Sequence, residues 1–73
     1  MFKVIYKKSK EHYRSLLIKA SEMGIPEDYI RHALEIEIYG VKDDKHGYPT
    51  FLIRSDNRWI WKSAKHFIPV EEI

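Results

Sequence analysis

Seventy-three residues without a cysteine make a single domain, residues 1–73, that neither disulfides nor thiolate-bound metal can reinforce. A chain this short buries only about 60% of the surface its unfolded form exposes, so three phenylalanines, two tryptophans and five tyrosines must supply much of the core. The net charge of +2 conceals six Lys/Arg against one acid over residues 1–21, three against seven over 22–47 and four against three over 48–73, a layout suited to steering a polyanion or an acidic protein surface.

The opening Met1-Phe2-Lys3-Val4-Ile5-Tyr6 lacks the apolar core and cleavage site of a secretion signal, and no run approaches the about 20 apolar residues of a membrane span. A cytoplasmic protein with no membrane partner is therefore expected. Residues 2–7 are rich in β-branched and aromatic types, with Phe2, Val4 and Tyr6 on one face, which predicts a strand. Ser9 is placed to cap a helix whose apolar stripe is Tyr13, Leu16, Leu17, Ala20 and Met23, and Gly24 to end it in the left-handed conformation. Pro26 suits the first position of a second helix, with Glu27 and Asp28 complementing its dipole and Tyr29, Ile30, Ala33 and Leu34 on its inner face.

From Leu34 the pattern switches to period two, with Leu34, Ile36 and Ile38 on one side and Glu35, Glu37 and Tyr39 on the other. This predicts a strand to about Lys42, with continuation of the helix to Glu37 as the alternative. A polar loop over residues 41–47 leads to the strand that contains Phe51, Leu52 and Ile53. Asp56-Asn57 then forms the centre of a two-residue hairpin, since both types tolerate the positive φ that primed turns require. Trp59 and Trp61 share a face of the returning strand and Ile60 takes the other. A 3₁₀ turn over residues 63–67 and an edge strand at Ile68-Pro69-Val70 complete the chain.

Two resemblances follow from these residues. Phe51–Val70, with its hairpin, Trp59-Ile60-Trp61, the Ala64-Lys65-His66-Phe67 turn and Ile68-Pro69-Val70, resembles the last three strands of small Src-homology-3-like barrels, including those of phages and prophages of Gram-positive bacteria. The resemblance covers about a third of the chain and implies a barrel whose aromatics line a ligand groove. The order of elements, from the strand Phe2–Lys7 through a helical pair to an antiparallel sheet, also resembles RelE/ParE-type toxins. There it implies RNA contacts by basic and aromatic residues of the sheet, with Arg54, Arg58, Lys62, Lys65 and His66 at the corresponding places.

The expected fold is α+β: a small antiparallel sheet of four or five strands, a partly open Src-homology-3-like barrel, with the helical pair inserted after the first strand. His12, His32, His46 and His66 show no ligand spacing, and Glu35, Glu37, Asp43 and Asp44 are the pattern of a solvent face, so no metal and no cofactor is implied. The candidate site is the aromatic face of Trp59 and Trp61 with a basic rim of Arg54, Arg58, Lys62 and Lys65. Lys7, Lys8, Lys10 and Arg14 make a second basic cluster. The function these residues point to is non-enzymatic: a phage or mobile-element module, monomer or homodimer, that binds a host protein through this face. Binding of RNA or DNA by the same face is the alternative, and a ribonuclease toxin the second.

Overall fold

In the computed structural model, which describes all 73 residues, the chain runs through β1 (Phe2–Tyr6), a 3₁₀ turn (Lys7–Ser9), α1 (Lys10–Met23), α2 (Glu27–Leu34), β2 (Ile36–Ile38), β3 (Gly40–Asp43), β4 (Pro49–Ser55), β5 (Arg58–Ser63), a second 3₁₀ turn (Ala64–His66) and β6 (Phe67–Pro69). A last 3₁₀ turn covers Val70–Glu72. The fold is α+β, but its strands form two three-stranded antiparallel sheets, ordered β2-β1-β6 and β3-β4-β5, and neither closes on itself.

The single strand expected between Leu34 and Lys42 is corrected. Leu34 ends α2, Glu35 follows in extended conformation, and the strand breaks at Tyr39. Ile36–Ile38 pairs with β1, whereas the Tyr39 N–H donates to the Leu52 carbonyl at 2.9 Å and carries Gly40–Asp43 into the other sheet. The alternation slips by one residue here: Ile36 and Ile38 lie on the core side of the first sheet, and in the second it is Val41, opposite Phe51, that takes the core side.

The two sheets face each other across the core. The registers Phe2↔Ile38, Val4↔Ile36 and Tyr6↔Phe67 place these side chains on one face of the first sheet, and Ile53↔Ile60 and Phe51↔Lys62 theirs on one face of the second. Val4, Ile38, Ile53 and Phe67 form the buried cluster, with Phe2, Tyr6, Ile36, Phe51 and Ile60 packed around it. Aromatic contacts join the layers, where Phe51 meets Phe2 edge-on at 5.3 Å and Phe67 at 5.9 Å, and within the first sheet Tyr6 lies 4.8 Å from Phe67. Each such pair contributes about 0.5–1.5 kcal/mol beyond its buried area, a sizeable share for so small a core.

Ile5 points to the opposite face of β1 and is fully buried there. The helical pair covers that side. Tyr13 of α1, also fully buried, donates its hydroxyl to Glu35 at 2.6 Å, and Arg31 of α2 donates to both the Tyr13 oxygen and Glu35 at 3.1 Å. Lys3, on the Ile5 side of β1, approaches the same carboxylate at 3.9 Å. Glu35, expected on a solvent face, has a side chain only 6% exposed, because the end of α2 turns it under α1.

Other helix expectations hold in part. Gly24 adopts φ 72° and its N–H reaches back to the Ala20 and Ser21 carbonyls, as a left-handed stop requires. Ser9 stands at the cap position of α1 without a side-chain cap bond, and Pro26 precedes α2 instead of opening it. Ala20 is buried and Leu16 and Leu17 are half-buried, but Met23 is 72% exposed, and on α2 Tyr29 and Ala33 face solvent while Ile30 and Leu34 turn inward. The molecule is elongated, 46 × 24 × 17 Å, and Met23 and Tyr29, either side of the turn between the helices, are left uncovered.

Burial and the hydrogen bond to Glu35 push the Tyr13 phenol up to about 12. An unfolded tyrosine ionises near 10, so the stabilisation from neutral Tyr13 is complete below about pH 10 and is lost as the pH climbs towards 12, by roughly 2–3 kcal/mol. Urea titrations across this range are expected to show a steeper alkaline loss for the wild type than for Tyr13→Phe. Parallel pH profiles would remove the phenol from the account.

Candidate functional site

The β4–β5 hairpin positions the aromatic face. Asp56 and Asn57 hold φ of 50° and 63°, the two consecutive positive values of a type I′ turn, and the turn fixes the register Arg54↔Trp59, Ile53↔Ile60 and Leu52↔Trp61. Ile60 therefore enters the core, and Trp59 and Trp61 stand on the outer face of the second sheet, 53% and 41% exposed. Tyr39, half-exposed at the break before β3, meets Trp59 edge-on at 5.1 Å.

Cations occupy this surface already. The Arg54 guanidinium lies 4.9 Å from the Trp59 ring centroid, and the Lys42 ammonium 4.3 Å from that of Trp61. Trp61 also reaches across the sheet over β3: a Cβ added to Gly40 would lie 3.4 Å from its ring, at van der Waals contact. Sequence reasoning missed Tyr39 and Lys42. Lys42 was recoverable only from pairing, since Lys42↔Thr50 and Thr50↔Ser63 set it on the same face as Trp61.

The expected basic rim divides. Arg54 shares the tryptophan face, whereas Arg58 and Lys62 alternate with the tryptophans and lie on the side of Ile60. Lys62, half-buried, donates its ammonium to the Tyr6 hydroxyl at 3.1 Å. Lys65 belongs to the 3₁₀ turn after β5. The second cluster divides as well. Lys10 opens α1 and Arg14 is paired with Glu11 at 3.7 Å, while Lys7 and Lys8 fall in with Lys62, Lys65 and His66 around a cleft of about 480 Å³ at the end of the two sheets. The pairing Tyr6↔Phe67 causes this convergence, because it sets the residues after β1 beside the turn that precedes β6.

Glu35, Glu37, Asp43 and Asp44 are not gathered into one cluster. Glu35 is engaged with Arg31 and Tyr13, Glu37 with the Met1 ammonium at 2.9 Å, and Asp44 accepts the His46 and Tyr48 N–H groups within its own loop. No helix is long and apolar enough to cross a membrane. No family model matches the chain, and no curated protein or solved structure is significantly similar to it.

Proposed function

We propose that this chain is a non-enzymatic binding module that docks on a protein partner through Tyr39, Trp59 and Trp61 with Arg54 and Lys42, and acts by covering the partner's surface. The observation that carries this reading is the state of the indoles. Large, fixed aromatic side chains beside arginine are the chemistry of interface hot spots, where one residue contributes 2 kcal/mol or more. The same geometry weighs against stacking of nucleic-acid bases, which needs open ring faces, because Arg54 and Lys42 must first be displaced from them. The resemblance of Phe51–Val70 to phage Src-homology-3-like barrels suggests a host protein as the partner.

Nucleic-acid binding on this face remains the second reading, and steep weakening with salt is its signature. The ribonuclease reading has less support, since Arg54, Arg58 and the group Lys62, Lys65 and His66 stand at three different places. The test is capture from bacterial lysate with and without nuclease, using the wild type and a Trp59→Ala/Trp61→Ala chain shown by circular dichroism to be folded. A stoichiometric protein that survives nuclease and is held more than about 30-fold less tightly by the variant is the expected result. Unchanged capture by the folded variant overturns the proposal.

A further inference from the structure

The cleft at the end of the sheets has a chemistry separate from that of the tryptophan face. Lys7, Lys8, Lys62 and Lys65 line it, and none of them takes part in an ion pair: the chain's ion pairs involve Lys3, Arg14, Arg31 and the N-terminal ammonium. The Lys8 and Lys62 ammoniums lie 5.6 and 5.4 Å from the same Tyr6 ring, and the cleft lining holds no carboxylate. A lining of unpaired cations attracts an anion. Tyr6 accepts its hydrogen bond from Lys62, which leaves its own hydroxyl proton free to donate, and Lys62 keeps two further N–H donors. The cleft is therefore lined by several free donors of the kind a phosphate dianion accepts from.

A second cleft of about 520 Å³ adjoins the first and shares Ser63 and Lys65 with it. Its walls are of a different kind. Tyr48, 66% exposed, stands there with Pro49 and Ala64, and an exposed aromatic side chain is one against which a planar ring stacks. Asp44 is the one carboxylate in either lining, held in place because its Oδ1 accepts the His46 and Tyr48 N–H groups at 2.8 and 3.0 Å. Its other oxygen is left to accept a hydroxyl or amino donor, and its charge keeps a phosphate at the lysine end. Because the two clefts share Ser63 and Lys65, a ligand that spans both meets cations at one end and an aromatic wall with an acceptor at the other, which is the pattern of a phosphate joined to a base through a sugar.

We propose that the two clefts together bind a nucleoside monophosphate, with the phosphate among Lys7, Lys8, Lys62 and Lys65 and the base against Tyr48, Pro49 and Ala64. The ligand is either a free mononucleotide or the 5′-phosphorylated end of a strand, which present the same group. The test titrates the ¹⁵N-labelled full chain with AMP, adenosine and inorganic phosphate. Phosphate is expected to move only the lysine-end amides, and AMP to move both ends and to bind about tenfold more tightly, the worth of one stacked base.

Lys65→Gln and Tyr48→Ala change exposed side chains and leave the core intact. The first is expected to weaken AMP and phosphate alike by about tenfold, and the second to reduce AMP to the affinity of phosphate. A 5′-phosphorylated dinucleotide that binds more tightly than AMP assigns the site to a strand end, and one that binds less tightly assigns it to the free nucleotide. AMP binding no tighter than phosphate, binding of neither, or AMP binding indifferent to both substitutions overturns the proposal.

Discussion

Ile38→Ala is expected to lower the stability of the chain by about 2–5 kcal/mol and its melting temperature by at least about 10 °C. Ile38 is fully buried in the cluster of Val4, Ile53 and Phe67, so it is one of only seven buried residues, and no disulfide compensates for its loss. Its position adds to the cost. It ends β2 opposite Phe2 of the first sheet, and the next residue, Tyr39, donates its N–H to Leu52 of the second. A cavity at Ile38 thus opens where the chain passes between the layers, at a place pinned on both sides and slow to collapse. Small domains have about 5–15 kcal/mol in all, so the substitution removes a large part of it. Val41→Ala, three residues further on at a half-exposed position, is expected to cost no more than about 0.5 kcal/mol. Urea titrations of both variants give the comparison, and similar midpoints for the two would refute the placement of the core.

The parts of the fold that were legible in the sequence are those decided within a few residues. Asp56-Asn57 announces the hairpin because few residues accept two successive positive φ values, and Gly24 ends α1 for the same steric reason. The common face of Trp59 and Trp61 follows from the pleat alone. What escaped depends on which distant element a residue meets. Ile36, Ile38 and Val41 are spaced by two and then three residues, so the alternation slips by one at Tyr39-Gly40, a local mark of the break that the single-strand reading passes over. The two basic clusters looked separate because Lys7 and Lys65 are far apart in sequence, and only the pairing of β1 with β6 joins them. For Glu35, too, a signal was present: Arg31 lies four residues upstream, the spacing at which a helix brings the two side chains together.

Glu35→Ala is expected to cost about 1–3 kcal/mol, although a period-two strand would have made it a neutral change of the surface. The carboxylate, 6% exposed, accepts hydrogen bonds from the Tyr13 hydroxyl and from Arg31, and its removal strands a buried phenol with only the guanidinium as partner. Loss of one member of a fully buried ion pair reaches 3–5 kcal/mol, but Arg31 is 40% exposed and keeps Glu27 at 3.2 Å, so solvent and the second carboxylate absorb part of the cost. Glu27→Ala removes a carboxylate from the same guanidinium at an exposed position and is expected to cost at most about 0.5 kcal/mol. The two substitutions thus separate burial from charge with one arginine as the common partner. In a double-mutant cycle with Tyr13→Phe, Glu35→Ala is expected to couple by about 1 kcal/mol and Glu27→Ala by nearly nothing, because the phenol bonds to Glu35 alone of the two. Equal costs for the two glutamates, with no coupling to Tyr13, would return Glu35 to the surface and detach the helical pair from the sheet it covers.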